Sequence, residues 1–210
     1  MRLFVAIGFP DAVKDALAGV AHSLARQSDA GRFVPRENFH LTLAFIGETG
    51  RVNDVREVVE HVAWRYLAAP LELRLAGIGS FRDKGKAGRD RSSRSDRDRS
   101  SRSDAGASGD GRHGRSSSPA SHTWWVGVVE NPALLQIATV LNTELREAGF
   151  SIERRNFKPH ITLGRGVVAR RPVELAAPDI SLAVGGLSLI KSDLSSGRPI
   201  YTELFRTAAE

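Results

Sequence analysis

The chain has 210 residues, of which 41% are hydrophobic and 26% are charged, a composition typical of one globular domain with a substantial core. It contains no apolar run of about 18 residues that could span a membrane, and its opening residues do not resemble a secretory signal. It contains no cysteine, which excludes disulfides and thiolate metal ligands and agrees with a cytoplasmic location.

Most of the net charge of +6 comes from one segment, residues 82–121. This segment contains nine arginines and two lysines against six aspartates, together with eleven serines and six glycines. It has no apolar side chain larger than alanine, so it cannot offset the entropy lost on folding, about 1–2 kcal/mol per residue for the backbone. We expect a disordered insertion, which either attracts nucleic acid phosphates or is a tolerated surface loop.

Before this insertion, the spacing of apolar residues predicts strands and helices in alternation. Apolar residues that recur every three or four positions predict two amphipathic helices, and Asp11 suits the positive end of the first. Alternation of apolar and polar residues predicts strands. The predicted elements are a strand over residues 3–8, a helix that includes residues 13–24, a strand over 39–46, a helix over 53–67 and a strand over 71–78.

After the insertion, the most clearly marked element is a helix. Asn131 is a suitable N-cap, Pro132 suits the first helical position, and Gly149 suits the position after the last turn. The predicted strands lie over residues 124–129, 160–164, 180–191 and 199–205. We therefore expect a single domain over residues 1–210, with a first half over 1–81 and a second half over 122–210.

Both halves contain the same short motif, which is the most informative feature of the sequence. Residues 38–43 read NFHLTL, and residues 156–163 read NFKPHITL. Side chains alternate between the two faces of a strand, so His40 shares a face with Thr42, and His160 shares a face with Thr162. If the halves pack about a pseudo-twofold axis, these polar faces converge on one groove.

Two imidazoles and two hydroxyls in one groove suit displacement at a phosphodiester. One histidine can take a proton from the nucleophile while the other protonates the leaving oxygen, because the free imidazole pKa lies near 6.5. The threonine hydroxyls can donate to the non-bridging oxygens. This chemistry needs no metal and no cofactor.

Two other interpretations of the histidines are weaker. Zinc sites use three or four ligands, and neither motif has a carboxylate on its histidine face, so we expect no metal. A single His-x-Thr on a strand would be a structural histidine, but two copies in matching halves favour a functional pair.

The paired motifs and their surroundings resemble the 2H phosphoesterase superfamily. Within it they are most similar to the bacterial and archaeal RNA 2′,3′-cyclic phosphodiesterases, also called the 2′-5′ RNA ligase family. The resemblance covers nearly the whole chain outside residues 82–121, which are foreign to the family's pattern. It rests on RLFVAI at 2–7, HLTLAFIGE at 40–48, WVGV at 125–128, PHITLGR at 159–165 and the ending around Ser192, Gly197 and Tyr201.

This resemblance implies a fold, a reaction and a role for each site residue. The implied fold is α+β and two-lobed, each lobe an antiparallel sheet with helices on its outer face and the active groove between the lobes. The implied reaction is metal-free hydrolysis of an RNA 2′,3′-cyclic phosphate to a 2′-phosphomonoester. We expect a monomeric protein that acts on RNA ends or small cyclic-phosphate nucleotides. The implied site residues are His40 as proton donor, His160 as proton acceptor, and Thr42, Thr162 and Arg165 as phosphate-binding groups.

Two alternatives remain open from the sequence. The same site could catalyse 2′-5′ ligation of RNA, which reverses the hydrolysis. Alternatively, the protein is a non-catalytic RNA-binding module, which would need no matched acid and base.

Three aromatic residues have two interpretations each. Trp124 and Trp125 face opposite ways on their strand, so one belongs to the core while the other either packs there too or stacks on a base. Tyr201 either approaches the groove or has a structural packing role.

Overall fold

The computed structural model describes residues 1–83, 120–154 and 156–207. This part of the chain forms nine β-strands and three α-helices, and none of the three helices is long and apolar enough to cross a membrane. In chain order the elements are β1 (Arg2–Gly8), α1 (Asp11–Arg26), β2 (Ser28–Phe33), a short 3-10 helix (Arg36–Asn38), β3 (His40–Glu48), α2 (Val52–Tyr66), β4 (Leu71–Arg82), β5 (His122–Val128), α3 (Pro132–Glu147), β6 (His160–Ala169), β7 (Ile180–Val184), β8 (Ser188–Asp193) and β9 (Ile200–Arg206).

The strands form two antiparallel sheets, which give the two-lobed α+β fold that the sequence predicts. The first sheet has the strand order β3-β1-β8-β9, and the second has the order β2-β6-β5-β4-β7. Helices α2 and α3 pack on the first sheet, and α1 packs on the second. Each sheet takes strands from both halves of the sequence, so the two lobes are not the two sequence halves.

Apolar residues of the two sheets and the three helices join in one core. Leu17, Leu41, Leu141 and Leu163 are fully buried there. Burial of one leucine side chain stabilises the fold by about 1.5–3 kcal/mol. Leu41 and Leu163 are the residues between the histidine and the threonine of each motif, so core packing fixes the opposite face of both motif strands.

Helix α3 begins and ends as its sequence predicts. The Asn131 side chain accepts a hydrogen bond from the backbone N–H of Leu134, at 3.0 Å, and Pro132 takes the first helical position. Gly149 follows the helix with a φ of 86°, which a residue with a Cβ atom rarely adopts.

Two predictions of secondary structure are wrong. Strand β2 was not predicted, because its residues are mostly exposed and polar and it forms by backbone pairing with β6. The single strand predicted over residues 180–191 is two strands in different sheets, β7 beside β4 and β8 beside β1 and β9. Gly185 and Gly186 separate them, and a Cβ atom on Gly186 would lie 2.4 Å from the carbonyl oxygen of Thr207.

The insertion leaves the fold at the end of a hairpin. Strands β4 and β5 pair as far as Arg82 and His122, and the Asp83 N–H donates to the Ser121 carbonyl at 2.9 Å. The ordered hairpin therefore extends into the predicted insertion at both ends. The expected disorder of its interior concerns residues 84–119, which lie outside the described residues.

Candidate active site

The two motif histidines begin equivalent strands in the two sheets. His40 is the first residue of β3, opposite Gly8 of β1, and His160 is the first residue of β6, opposite Gly127 of β5. Strands β3 and β6 contact each other. The motifs, 120 positions apart, therefore lie where the two lobes meet.

Both motif strands carry an irregularity at the same place. In β3 the pairing skips Leu43, and in β6 it skips Leu163, each directly after the motif threonine. A bulge of this kind inserts one residue and shifts the alternation of side chains. The burial pattern of the first six residues is therefore the same in both strands, and Phe45 and Arg165 return to the histidine face as exposed residues.

Each histidine ring is held by a hydrogen bond to the backbone carbonyl two residues earlier in the chain. Nδ1 of His40 lies 2.7 Å from the carbonyl oxygen of Asn38, and Nδ1 of His160 lies 2.7 Å from that of Lys158. A carbonyl oxygen only accepts, so Nδ1 must carry the proton in both rings. Nε2 is therefore the atom that exchanges a proton in each histidine.

The surroundings lower the pKa of both histidines below the usual 6.5. Burial is the main cause for both rings, and the hydrogen bonds to the backbone carbonyls partly oppose it. The positive charge of Arg165 lowers the pKa of both rings further, and His160 also lowers that of His40. Charge interactions of this kind weaken over about 10 Å in solution. The two imidazoles and the Arg165 guanidinium therefore lie close enough for their charges to interact.

The threonines complete this set of polar groups. Thr42 and Thr162 are half-buried and alternate with buried neighbours, so they lie on the histidine faces of their strands. All five predicted site residues are thus placed on β3 and β6. We call His40, Thr42, His160, Thr162 and Arg165 together the two-histidine site.

Aromatic rings border the site on both sides. Tyr201 contacts His40 edge-on with ring centres 5.4 Å apart, and Phe4 lies 4.9 Å from the same imidazole. In the other sheet, the rings of Phe81 and Trp125 lie 5.3 and 6.1 Å from that of His160. These aromatic walls desolvate the imidazoles, which is the cause of their lowered pKa.

The ring contacts locate the two tryptophans and Tyr201 relative to the site. Trp125 borders His160, whereas Trp124 packs against the core. Tyr201 approaches the site, where burial raises its pKa and the charges of Arg165 and Arg2 oppose that rise.

Three residues of the site were missed by sequence reasoning. Phe4 and Phe81 border the imidazoles, and Phe45, with 64% of its surface exposed, lies on the face of His40. The sequence held no signal for Phe45, because strict alternation from His40 puts residue 45 on the core face and only the bulge returns it to the histidine face. Phe81 was missed because β4 continues past Ile78, where the predicted strand ended.

Other features of the described chain do not form a competing site. His22 is exposed on α1, and His61 pairs with Glu144 at 2.9 Å. A cavity of about 360 Å³ between α2 and the end of β9 is lined in part by Trp64 and Phe205, and by none of the five site residues. No three His, Asp or Glu side chains within the described residues form a group that could hold a metal ion.

The chain belongs to the LigT-like phosphoesterases, whose family model matches residues 7–89 and 126–201. Its relatives include a protein from Thermotoga maritima that is 28% identical over 100% of this chain and 96% of the relative. A second relative, from Aeropyrum pernix, is 30% identical over 92% of this chain and 94% of the relative. Both relatives are named RNA 2′,3′-cyclic phosphodiesterase.

Solved structures agree with this assignment. Escherichia coli LigT in complex with 3′-AMP is 26% identical and has a TM-score of 0.66, with coverage of 99% of this chain and 97% of LigT. A Thermus thermophilus protein with 24% identity has the same fold, with a TM-score of 0.71 over 100% of this chain and 98% of the other.

Proposed function

We propose that this protein hydrolyses the terminal 2′,3′-cyclic phosphate of RNA to a 2′-phosphomonoester, without a metal and in the cytoplasm. The observation that carries the proposal is the matched pair of imidazoles, each with Nδ1 hydrogen-bonded to the backbone carbonyl two residues earlier and Nε2 left for proton transfer. The names of the relatives and the 3′-AMP complex of LigT support a nucleotide phosphate as the ligand.

In the proposed reaction, Nε2 of His160 takes a proton from a water molecule as the water oxygen bonds to phosphorus. Nε2 of His40, in its protonated form, donates a proton to the 3′ oxygen as the bond between phosphorus and that oxygen breaks. The products are a 2′-phosphomonoester and a free 3′ hydroxyl. Which histidine is acid and which is base follows the family resemblance, since the two rings have equivalent hydrogen bonds.

The remaining site residues stabilise the charge on the phosphoryl oxygens. The hydroxyls of Thr42 and Thr162 donate hydrogen bonds to the non-bridging oxygens, and Arg165 supplies a positive charge. Arg165 also disfavours the protonated form of each imidazole in the free enzyme, since its charge lowers the pKa of both.

The direct test is to replace each histidine and measure turnover of 2′,3′-cyclic AMP and of an RNA oligonucleotide ending in a cyclic phosphate. We expect His40→Ala and His160→Ala each to lower kcat by a factor of about 10²–10⁴, the usual contribution of one general acid or base. His22→Ala, on the exposed face of α1, is the matched control and retains full activity. Near-parental activity in either site variant would exclude the two-histidine mechanism.

Two further experiments distinguish this proposal from its alternatives. Activity that persists in excess chelator supports the metal-free reaction, and its loss contradicts it. RNA with a cyclic phosphate is also mixed with RNA bearing a 5′ hydroxyl, because joined product in place of hydrolysed ends would identify a ligase. Tight binding with no turnover of either kind would identify a binding module.

A further inference from the structure

Two arginines oppose each other at the edge of the two-histidine site. Arg32 of β2 is the direct cross-strand partner of Arg165 of β6, and both residues are exposed. The next pair in the register is Phe33 with Gly164.

The Phe33 pair shows which way the arginines face. Phe33 packs against the core, and a Cβ atom on Gly164 would lie 3.0 Å from its ring. Because consecutive residues of a strand alternate between faces, Arg32 lies on the opposite face, the face of the two-histidine site. Arg165, the cross-strand partner of Arg32, lowers the pKa of both histidines by its charge, which agrees with this face being that of the two-histidine site.

Such a pair of like charges is unfavourable unless something neutralises it. Like charges directly opposite on neighbouring strands destabilise a sheet, on the scale of roughly 0.2–1 kcal/mol for cross-strand pairs. Several other surface arginines have carboxylate partners, as Arg74 has Asp179 and Arg170 has Asp29. Within the described residues, neither Arg32 nor Arg165 forms an ion pair or a side-chain hydrogen bond with the protein.

We propose that Arg32 binds a second phosphate of the substrate, the phosphodiester on the 5′ side of the terminal nucleotide. This inference rests on the proposed function, in which Arg165 binds the reacting phosphate. Neighbouring strands lie about 4.8 Å apart, so the pair offers two cations side by side to consecutive phosphates of one RNA strand. The preferred substrate is then an RNA end with at least one internal phosphodiester, because a cyclic mononucleotide has no phosphate for Arg32.

The test compares two substrates that differ by one phosphodiester. Wild type, Arg32→Ala and Arg171→Ala are assayed on 2′,3′-cyclic AMP and on the dinucleotide ApA with a terminal cyclic phosphate. We expect Arg32→Ala to raise KM for the dinucleotide about tenfold with kcat unchanged, and to leave both constants for cyclic AMP unchanged. Arg171 is exposed and lies beyond the end of β6 that is remote from His160. Arg171→Ala is therefore the control, and it should leave KM and kcat for both substrates unchanged.

A binding measurement makes the inference independent of turnover. The affinities for 3′-AMP and for ApA with a 3′-phosphate are measured by calorimetry over a range of salt concentrations. Arg32→Ala should weaken the binding of the dinucleotide only. The slope of log affinity for the dinucleotide against log salt concentration should become smaller by about 0.7, the value for one phosphate of a single strand. Its Tm should stay the same or rise, because the repulsion from Arg165 is removed.

The possible outcomes separate the two proposals. If wild type binds both ligands but hydrolyses neither substrate, the proposed function fails while the calorimetry still decides the role of Arg32. If Arg32→Ala loses affinity equally for both ligands, Arg32 binds the reacting phosphate, and the second-phosphate inference is overturned. Unchanged binding of both ligands, or no binding by wild type, would overturn it as well.

Discussion

Gly127 lies directly opposite His160 on the neighbouring strand, at a place where the backbone of a third strand comes close. A Cβ atom at this position would lie 2.6 Å from the carbonyl oxygen of Ala76 in β4. A backbone atom cannot swing aside as a flexible side chain can. Gly127 therefore permits the close approach of β4 and β5, the hairpin that holds Phe81 and Trp125 against His160.

We expect Gly127→Ala to destabilise the protein by about 1–3 kcal/mol, the usual cost of overpacking a tight site. The free energy of unfolding in urea measures this effect. The matched control is Gly8→Ala, because Gly8 lies opposite His40 and its Cβ would meet no atom within 4 Å. Equal stability of the two variants would contradict the argument.

The pH dependence of catalysis should reflect the lowered pKa of both histidines. One ring must be protonated and the other neutral, so the plot of kcat/KM against pH should be bell-shaped, with its maximum below pH 6.5. The two limbs belong to the coupled pair rather than to single residues. Bound phosphate favours the imidazolium form, so the kcat profile should be displaced to higher pH. A kcat/KM that still rises above pH 7 would be inconsistent with this site.

Removal of the Arg165 charge should shift three titrations in the same direction. Arg165 lowers the pKa of His40, His160 and Tyr201. In Arg165→Ala we therefore expect all three pKa values to rise, and NMR titration of the ring resonances measures them. Arg171→Ala should change none of them. If neither histidine responds, Arg165 does not face the site.

The buried histidines should also make the fold sensitive to mild acid. Their pKa is near 6.5 in the unfolded chain and lower in the folded protein, so the unfolded chain binds more protons as the pH falls below 6.5. The free energy of unfolding should therefore fall as the pH drops below about 6.5. His40→Gln should flatten this dependence, which urea titrations at several pH values measure. A slope equal to that of wild type would contradict the prediction.

The long insertion should be dispensable for folding. The hydrogen bond between Asp83 and Ser121 brings its two ends together. We expect that replacement of residues 84–120 by Asn-Gly, a preferred two-residue hairpin turn, leaves the Tm unchanged or raised. Circular dichroism during thermal unfolding tests this. A variant that no longer folds would mean that the insertion contributes to the domain.

The same variant tests whether the arginine-rich segment binds RNA. If the segment attracts phosphates, the affinity for a long RNA should fall and its salt dependence should become shallower. An unchanged affinity would favour a tolerated surface loop.

Sequence reasoning was most successful where local signals were strong. The Asn131 cap, Pro132 and Gly149 predicted the limits of α3 because capping depends on residues close in the chain. It failed at β2 and over residues 180–191. The pairing partner of β2 and the sheet that each of β7 and β8 joins depend on residues far away in sequence.

The sequence by itself was enough to predict the candidate site residues and the family of this protein. Strand alternation puts His40 with Thr42 and His160 with Thr162 on single faces, because side-chain direction has a period of two in any strand. The repeated motif was therefore enough to predict a pair of acid–base groups and the family that uses them.

Only the tertiary structure decided the surroundings of these groups. The aromatic walls, the lowered pKa values and the bulges that return Phe45 and Arg165 to the histidine face all arise from contacts between distant strands. The opposition of Arg32 and Arg165 likewise exists only because β2 pairs with β6 in one register. Such contacts depend on how the whole core packs, and no local pattern in the chain specifies them.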